Sequence, residues 1–365
     1  MAVTMPRIDI TFTQLAASLI ARSERGVAIL IVRDDTDKSF THKQYADLAA
    51  AEADQAKYTA DNFAAVCDLL AFAPYQAHVF RLDAAGTLAD TLAEITRTVK
   101  TGWVTIADMS AEDCTALVGW IKAQEARAQS YKAVVYNAKT APDNMHVVNF
   151  VNEKVTFTDD RGAQDGVKYL PSLAAIFAVC NVQRGCTNYL CSNLSFVKEV
   201  ADNNAALGAG KFILFNDGVG EVRIAQGINS MTTADGKTKT ADMRFIETVE
   251  AMDMMRDDIA RTFRTEYLGA YRNNRDNQML FLSALNSSYF RELAQQDILD
   301  REYHNTAQID VAAQRAAWVA SGKAEAASWD DDTVKSMAFK RTLFFTGNVK
   351  IVGSMTDLIF PISLA

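Results

Sequence analysis

Alternation of short apolar runs with amphipathic stretches dominates the first half of this sequence and limits the folds open to it. Between Gly26 and about Phe150, the runs GVAILIV, AHVFRL, WVTIA and YKAVVY are typical of buried strands. The stretches between them carry apolar residues at helical spacing, and Ser110 with Asp113 forms a capping-box signature at the start of one helix. Because alternating βα units place helices over a mainly parallel sheet, residues 26–200 are predicted to form one doubly wound α/β domain.

The pattern changes after a small, polar and glycine-bearing stretch at residues 201–210, which is typical of a domain boundary. The runs KFILFN and EVRIAQG flank Asp217 and Gly218. This arrangement predicts a β-hairpin because the Asp-Gly pair tolerates the positive φ that a tight turn needs. A chain of 365 residues is also long enough for two cores. We therefore expect a second, α+β domain over residues 201–365.

Two long helices are predicted inside this second domain, because apolar residues recur there at every fourth position. Shorter helices are expected near residues 309–321 and 331–337, followed by two β segments. The stripe of the first long helix is Met255, Ile259, Phe263 and Tyr267, and that of the second is Phe281, Leu285, Tyr289 and Leu293.

Both ends of the chain have strand periodicity. Burying the apolar residues of the last strand contributes about 1.5 to 3 kcal/mol each, whereas ordering its residues costs about 1 to 2 kcal/mol apiece. These sums nearly cancel, so the strand needs a preformed sheet, which belongs either to its own subunit or to a neighbour. Pro361 cannot donate to a ladder and predicts an edge position. The apolar faces are Ile8, Ile10 and Phe12 at the start and Leu358, Phe360, Ile362 and Leu364 at the end.

Charge and hydropathy exclude several classes of partner. A net charge of −8 repels phosphate backbones and anionic membranes, so no nucleic-acid partner is expected. The sequence has no apolar stretch long enough to cross a bilayer and no signal-peptide pattern, which predicts a product that stays in the cytoplasm. Five cysteines, an odd number, are expected as unpaired thiols, and without a CxxC pair no metal site is expected.

Catalytic signatures are missing from the sequence, so we expect no enzyme and no cofactor. Lys211 resembles the lysine of a phosphate loop, but Ala205 and Phe212 stand where that loop needs Gly and Ser or Thr. There is no GxGxxG, HExxH or GxSxG pattern. The alternative that remains is an enzyme or nucleotide-binding protein that uses the crevice of the doubly wound domain.

Two groups of charged residues have both a structural and an interfacial interpretation. The cluster Asp330, Asp331, Asp332 and Lys335 suits the ends of a short helix through its dipole, but it is also compatible with contact to a partner. The second group is either a solvated, compensated face or an electrostatic seam between subunits. It contains Arg256, Arg261, Arg264, Arg272 and Arg275, with Asp257, Asp258 and Glu266 among them.

Several stretches, taken in order, give the chain a resemblance to the tail sheath proteins of contractile phages, R-type bacteriocins and defective prophages. They are MPRIDITFTQLAASLIARSERGVAILIV, VGEVRIAQGINSMTT, FIETVEAMDMMRDDIARTFRTEYLGAYRNNRDNQMLFLSALNSSYFREL and FFTGNVKIVGSMTDLIFPISL. Ala270 departs from the basic residue expected after Tyr267, Leu268 and Gly269. The middle of the chain resembles the family only in outline.

The resemblance implies a structural protein that assembles into a contractile sheath. Subunits would stack as hexameric rings, a helical homopolymer around the tail tube protein, with baseplate and tail terminator proteins as further partners. Contraction would drive the tube through the target cell envelope. The resemblance also implies an outer α/β domain at residues 26–200 inserted into an inner domain built from residues 1–25 and 201–365.

Individual residues take roles in this scheme through the resemblance alone. The arm strands, which would be exchanged between subunits, carry Ile8, Ile10, Phe12, Leu358, Phe360, Ile362 and Leu364. The short helix near residues 331–337 would face the tube through Asp331, Asp332 and Lys335.

Overall fold

The computed structural model of the chain describes residues 25–180, 182 and 184–363. The described residues form two compact units. Residues 25–257 together with 353–363 make the first, here called the α/β unit, and residues 258–352 make the second, here called the helical unit.

The α/β unit is built on a six-stranded sheet in the order β2-β3-β1-β4-β5-β6. All neighbouring strands are parallel except β2, which runs antiparallel to β3 at one edge. The predicted mainly parallel sheet with intervening helices is therefore confirmed. Its elements are β1 (Val27–Arg33), β2 (His42–Tyr45), α1 (Leu48–Glu52), α2 (Ala60–Leu70), β3 (Gln76–Leu82), α3 (Leu88–Thr98), β4 (Gly102–Ile106), α4 (Ala111–Glu125), β5 (Tyr131–Tyr136) and β6 (Val147–Phe150).

Local sequence explains why these elements start where they do. The six residues from Val27 to Val32 are all buried in β1, as expected for a strand covered on both faces. Side chains of Thr59, Thr87 and Ser110 accept hydrogen bonds from backbone N–H groups at the starts of α2, α3 and α4. At α4 the reciprocal bond from the Ser110 backbone to Asp113 is present, so the predicted capping box is confirmed.

The rest of this unit extends the same core. Residues 201–210 include a short helix, and the hairpin that follows buries Phe212 and Leu214 against the main sheet's cluster. The chain therefore passes to the helical unit between residues 257 and 258, inside α7, and not at the stretch predicted as a boundary. The elements are β7 (Lys154–Phe157), β8 (Ala163–Asp165), α5 (Leu170–Val179), β9 (Leu194–Val197), α6 (Asn203–Gly208), β10 (Leu214–Asn216), β11 (Val222–Ile224) and α7 (Ile246–Thr262).

The predicted hairpin is present as the antiparallel pair β10 and β11. Its turn works differently from the expectation, because the positive φ of 91° falls at Gly220 and not at Gly218. The Asp217 carboxylate closes the turn by accepting hydrogen bonds from the N–H groups of Val219 and Glu221.

The helical unit explains the period-four stripes. α7 continues into a π-helical turn at Phe263–Tyr267, and α8 (Arg275–Ser283) continues through a second one at Ala284–Tyr289 into α9 (Phe290–Gln295). A spacing of four drifts around an α-helix of 3.6 residues per turn, and the wider π turns reduce that drift. The stripes meet at Phe281, whose ring centroid lies 5.8 Å from that of Phe263 and 4.7 Å from that of Tyr267.

The remaining elements of the helical unit are a two-stranded sheet and two helices. β12 (Thr306–Ile309) is followed by α10 (Val311–Ala320), α11 (Asp331–Ser336) and β13 (Phe345–Asn348), and β13 pairs antiparallel with β12. The Gln314 amide on α10 donates 2.6 Å to the Val334 carbonyl on α11. Within the described residues, every helix is too short or too polar to span a lipid bilayer.

Candidate assembly surface

The C-terminal tail, Gly353–Ser363, is the largest exposed apolar feature of the described chain. This tail contains no helix or strand. The final strand predicted around residues 357–365 therefore does not form in residues 357–363, the part of it that the structure describes. Leu358, Phe360 and Ile362 are 88%, 72% and 71% exposed. Contiguous exposed apolar side chains of this size mark an interaction site.

The other predicted arm residues fall outside the described part of the chain. These are Ile8, Ile10 and Phe12 at the start and Leu364 at the end.

The root of the tail is tied to the first turn of α7. The Ser354 N–H donates 2.7 Å to Glu247 Oε1, and the Ser354 hydroxyl donates to Glu247 Oε2. Residues 354–356 also line a cavity of about 470 Å³ whose other walls include Gly185 and Gln226. Among the described residues, the tail is thus hydrogen-bonded to the unit at Ser354 and exposed beyond it.

A buried ionic network fixes α7 in the α/β unit. Lys132 on β5 lies 2.8 Å from Asp253 and 3.1 Å from Glu250, and the Trp103 indole donates 3.0 Å to Glu250. Burial acts to lower the pKa of His146, but the carboxylate of Asp253, 3.3 Å away, helps to raise it. Paired charges of this kind hold the helix in one position because separating them leaves a buried charge uncompensated.

In the helical unit, one edge of the small sheet is closed by a side chain. Asn286 lies in the second π turn and binds the outward-facing backbone of Ala307 on β12. Its amide donates 2.9 Å to the Ala307 carbonyl and its oxygen accepts from the Ala307 N–H at 2.7 Å. A further strand therefore cannot add to β12 at this position without displacing Asn286.

The other edge, on β13, has no further strand paired with it among the described residues and is here called the open edge. The Asp310 N–H donates a 2.8 Å hydrogen bond to the Phe344 carbonyl. Because hydrogen-bonded pairs alternate along an antiparallel ladder, the backbone N–H and C=O groups of the even-numbered residues of β13 point toward β12. The backbone groups of Phe345 and Gly347 then point away from it. Among the described residues, no hydrogen bond to these two backbones is present.

The predicted tube-contact residues lie on and beside one helix turn. Asp331 and Asp332 are exposed and Lys335 is half-buried on α11, whose N-cap is Asp330. Asp331 is already engaged by Arg315 at 2.6 Å. The structure therefore brings the three residues together but leaves Asp332 and Lys335 as the ones available to a partner.

The basic run does not form one continuous face. Arg256 lies 2.9 Å from Asp253 in the α/β unit, and Asp258 is buried where it accepts a 2.6 Å hydrogen bond from the Tyr289 hydroxyl. Arg264 and Arg272 are exposed in the helical unit. The interpretation as a solvated face is therefore wrong for Asp258, whereas the charge of Arg256 is compensated by Asp253 and Asp257.

The crevice at which a doubly wound sheet would bind a nucleotide is bordered by a carboxylate that is held in place by hydrogen bonds. It lies beyond the carboxyl ends of β1 and β4, where the chain connections diverge. Asp34 accepts hydrogen bonds of 2.8 Å from the Thr59 N–H and the Asn62 amide. Burial acts to raise the pKa of Asp34, but its hydrogen bonds lower it to about 2. A fixed carboxylate here repels a phosphate group.

The cysteines are all thiols, and none belongs to a metal-ligating cluster within the described residues. Burial raises the pKa of both Cys180 and Cys191 to about 12, so these thiols stay protonated and unreactive.

Two of the contacts described above could not be predicted from the sequence. Glu247 and Ser354 are 107 positions apart, and Asn286 and Ala307 are 21 apart. Each pair is an ordinary combination of polar residues, so only the fold reveals it.

Comparison with known proteins shows similarity to tail sheath proteins. The model of the phage tail sheath C-terminal domain matches residues 238–365. The tail sheath protein of Clostridium phage phiCD119 is 27% identical over 362 residues, which cover 96% of this chain and 97% of the relative.

Solved structures share the fold over most of the chain. The sheath tail protein of Desulfitobacterium hafniense has a TM-score of 0.68 at 14% identity, over 83% of this chain and 94% of that one. The helical sheath of the anti-feeding prophage in its contracted state has a TM-score of 0.70 at 11% identity, over 99% of both chains. The contracted PVC sheath of an extracellular contractile injection system has a TM-score of 0.68 at 11% identity, over 100% of this chain and 98% of that one. The chain is thus similar over residues 238–365 to the phage tail sheath C-terminal domain and over most of its length to a phage tail sheath protein, and it shares its fold with solved sheath proteins.

Proposed function

We propose that this chain polymerises as stacked hexameric rings around a tail tube, and that the polymer contracts to drive the tube through a target cell envelope. The observation that carries the proposal is the exposed apolar tail, which has strand periodicity but forms no strand in its own subunit. Two of the structural neighbours are described as contracted sheaths, and another as part of a six-fold symmetrised baseplate of the anti-feeding prophage. The proposed partners are further copies of this chain, the tube protein, and baseplate and terminator proteins.

Strand addition to a neighbour is the proposed mode of linkage. The C-terminal tail would pair with the open edge of β13 on another subunit, where Phe345 and Gly347 offer their backbones. That edge would supply the hydrogen bonds that make ordering of the tail favourable. The N-terminal arm residues Ile8, Ile10 and Phe12 are proposed to act in the same way.

Contraction would change interfaces between subunits rather than their interiors. Rigid packing of the buried sheet in the α/β unit suits rotation of whole subunits, with the arms acting as tethers throughout. In this arrangement residues 26–200 face outward and the inner domain contains both chain ends. Assembly is proposed to take place in the bacterial cytoplasm.

The test of this function is negative-stain electron microscopy of the protein expressed alone. We expect hollow cylinders from the intact chain, and a folded, soluble subunit that forms none when residues 357–365 are removed. A full-length chain with Leu358→Ser, Phe360→Ser and Ile362→Ser should behave like the truncated one, whereas Val219→Ser, at an exposed hairpin tip, should assemble normally. Normal cylinders from the truncated chain would refute the role of the tail.

We also propose that α11 contacts the tube, through Asp332 and Lys335. The support is the exposure of Asp332 and the partial exposure of Lys335 beside Asp331, which Arg315 already pairs. Reversal of both charges, Asp332→Lys with Lys335→Glu, should weaken co-sedimentation of sheath with tube while polymerisation continues. Glu325→Lys, another exposed acid in this region, is the matched control. Unchanged tube binding in the double variant would remove α11 from the interface.

A further inference from the structure

The contact between Glu247 and Ser354 uses both carboxylate oxygens on one residue of the tail. Oε1 accepts from the Ser354 backbone at 2.7 Å, and Oε2 accepts from the Ser354 hydroxyl. A carboxylate that accepts two hydrogen bonds from the same residue fixes both the position and the direction of the chain there.

Gly185 makes room for this carboxylate. A Cβ atom built on Gly185 would lie 2.1 Å from Glu247 Oε2, a distance at which the carboxylate would have to move. Gly353, by contrast, would place a Cβ at an ordinary 3.5 Å from Glu247 Oε1. The geometry therefore depends on a residue without a side chain at position 185, on a loop far from the tail in sequence.

The tail changes character immediately after this contact. Each residue from Met355 to Ser363 is exposed, and Met355 is fully so. Among the described residues, the hydrogen bond from Thr356 to Asp357 stays within the tail, and no bond from residues 355–363 to the rest of the chain is present. Within the described residues, Ser354 is thus the last residue of the tail that is hydrogen-bonded to the rest of the subunit.

We propose that Glu247 is a positioning residue that clamps the root of the C-terminal tail, so that the arm starts from a fixed point on its own subunit. This inference rests on the proposed function, because it assigns a regulation to the same tail. From Ser354 to Ser363, nine residues at about 3.3 to 3.6 Å each give a reach of about 30 Å. A fixed root keeps the arm at a high effective concentration near an acceptor within that distance.

Hydrogen exchange of the unassembled full-length subunit tests the clamp directly. In Glu247→Ala, the Ser354 amide should lose about tenfold in protection, the effect expected from one charge-assisted hydrogen bond. Ser354→Ala keeps the backbone donor and should lose less at the same amide. Glu112→Ala removes a glutamate from the first turn of another helix, α4, and should leave the Ser354 amide unchanged.

Gly185→Ala provides a second variant that alters neither partner. Its methyl group should push the carboxylate away and raise exchange at Ser354 as Glu247→Ala does. Unchanged exchange at Ser354 in both Glu247→Ala and Gly185→Ala would overturn the clamp, whether or not the protein polymerises.

The protein concentration at which cylinders form tests whether the clamp positions the arm. We expect the protein concentration needed for cylinders to rise several-fold in Glu247→Ala, with Glu112→Ala like the unaltered chain. Faster exchange with an unchanged assembly threshold would overturn the positioning role. If the unaltered chain forms no cylinders, the proposed function fails, and hydrogen exchange still judges the clamp independently.

Discussion

Two runs of this chain have nearly the same apolar character and opposite surroundings. β1 carries VAILIV in the middle of the six-stranded sheet, where every one of those residues is buried. The tail carries LIFPI, and its four non-proline residues are all at least 71% exposed. Strand propensity alone therefore does not decide whether an apolar run is buried or exposed.

The difference lies in what each run has beside it. β1 pairs with β3 through seven residues and with β4 through four, and α2 and α5 pack against it. No described strand of the subunit pairs with the tail. An apolar run favours burial of a segment, whereas the elements beside it determine whether the segment is buried in its own molecule.

The largest difference expected between the two runs is in how much each contributes to the free energy of unfolding. Leu30→Ala in β1 should lower the free energy of unfolding by about 2 to 5 kcal/mol, because it leaves a cavity at a fully buried site. Leu358→Ala in the tail should change it by less than about 0.5 kcal/mol. Chemical denaturation of the unassembled subunit measures both. A comparable loss in the two variants would mean that the tail is covered within its own subunit.

A smaller effect concerns which side of the tail pairs with its acceptor. Pro361 has no N–H, and residues 359 and 361 direct their backbones to the same side of a strand. The backbone groups of residues 359 and 361 should therefore face away from the acceptor strand. Those of residues 358, 360 and 362 should face toward it. Ile362→Pro should therefore raise the concentration needed for assembly about tenfold by removing one ladder hydrogen bond, whereas Ile359→Pro should be tolerated.

These two substitutions replace the same residue type, so the loss of side chain is matched. Ile362→Ala separates the side-chain contribution from that of the backbone. Equal damage from Ile359→Pro and Ile362→Pro would show that the tail uses both of its edges.

The sequence predicted the α/β unit well because its signals are local. Buried strands, helical periodicity and the cap at Ser110 lie within short windows, and so does the hairpin around Asp217. The position at which the two units divide was not predicted, because residues 201–210 look like a linker while Phe212 is buried in the main core.

The candidate assembly surface was only partly accessible from sequence. Strand periodicity predicted one apolar face at Leu358, Phe360 and Ile362, but it left open whether the subunit itself covers that face. The contacts that organise it do not, since Glu247 meets Ser354 and Asn286 meets Ala307 only after the fold has formed. The period-four stripes were visible, but the π turns that accommodate them were not.

The Asn286 side chain on β12 has a consequence for the topology of any network this subunit enters. A two-stranded sheet with both edges open is divalent toward incoming strands and allows branching, in which one subunit collects partners on two sides. Within the described residues, Asn286 occupies one edge, so the edge left for an added strand is that of β13. If the proposed strand addition takes place there, each link between subunits would run in one direction, from one donor to one acceptor. A lattice made from them has a defined valence, which distinguishes an ordered tube from an aggregate.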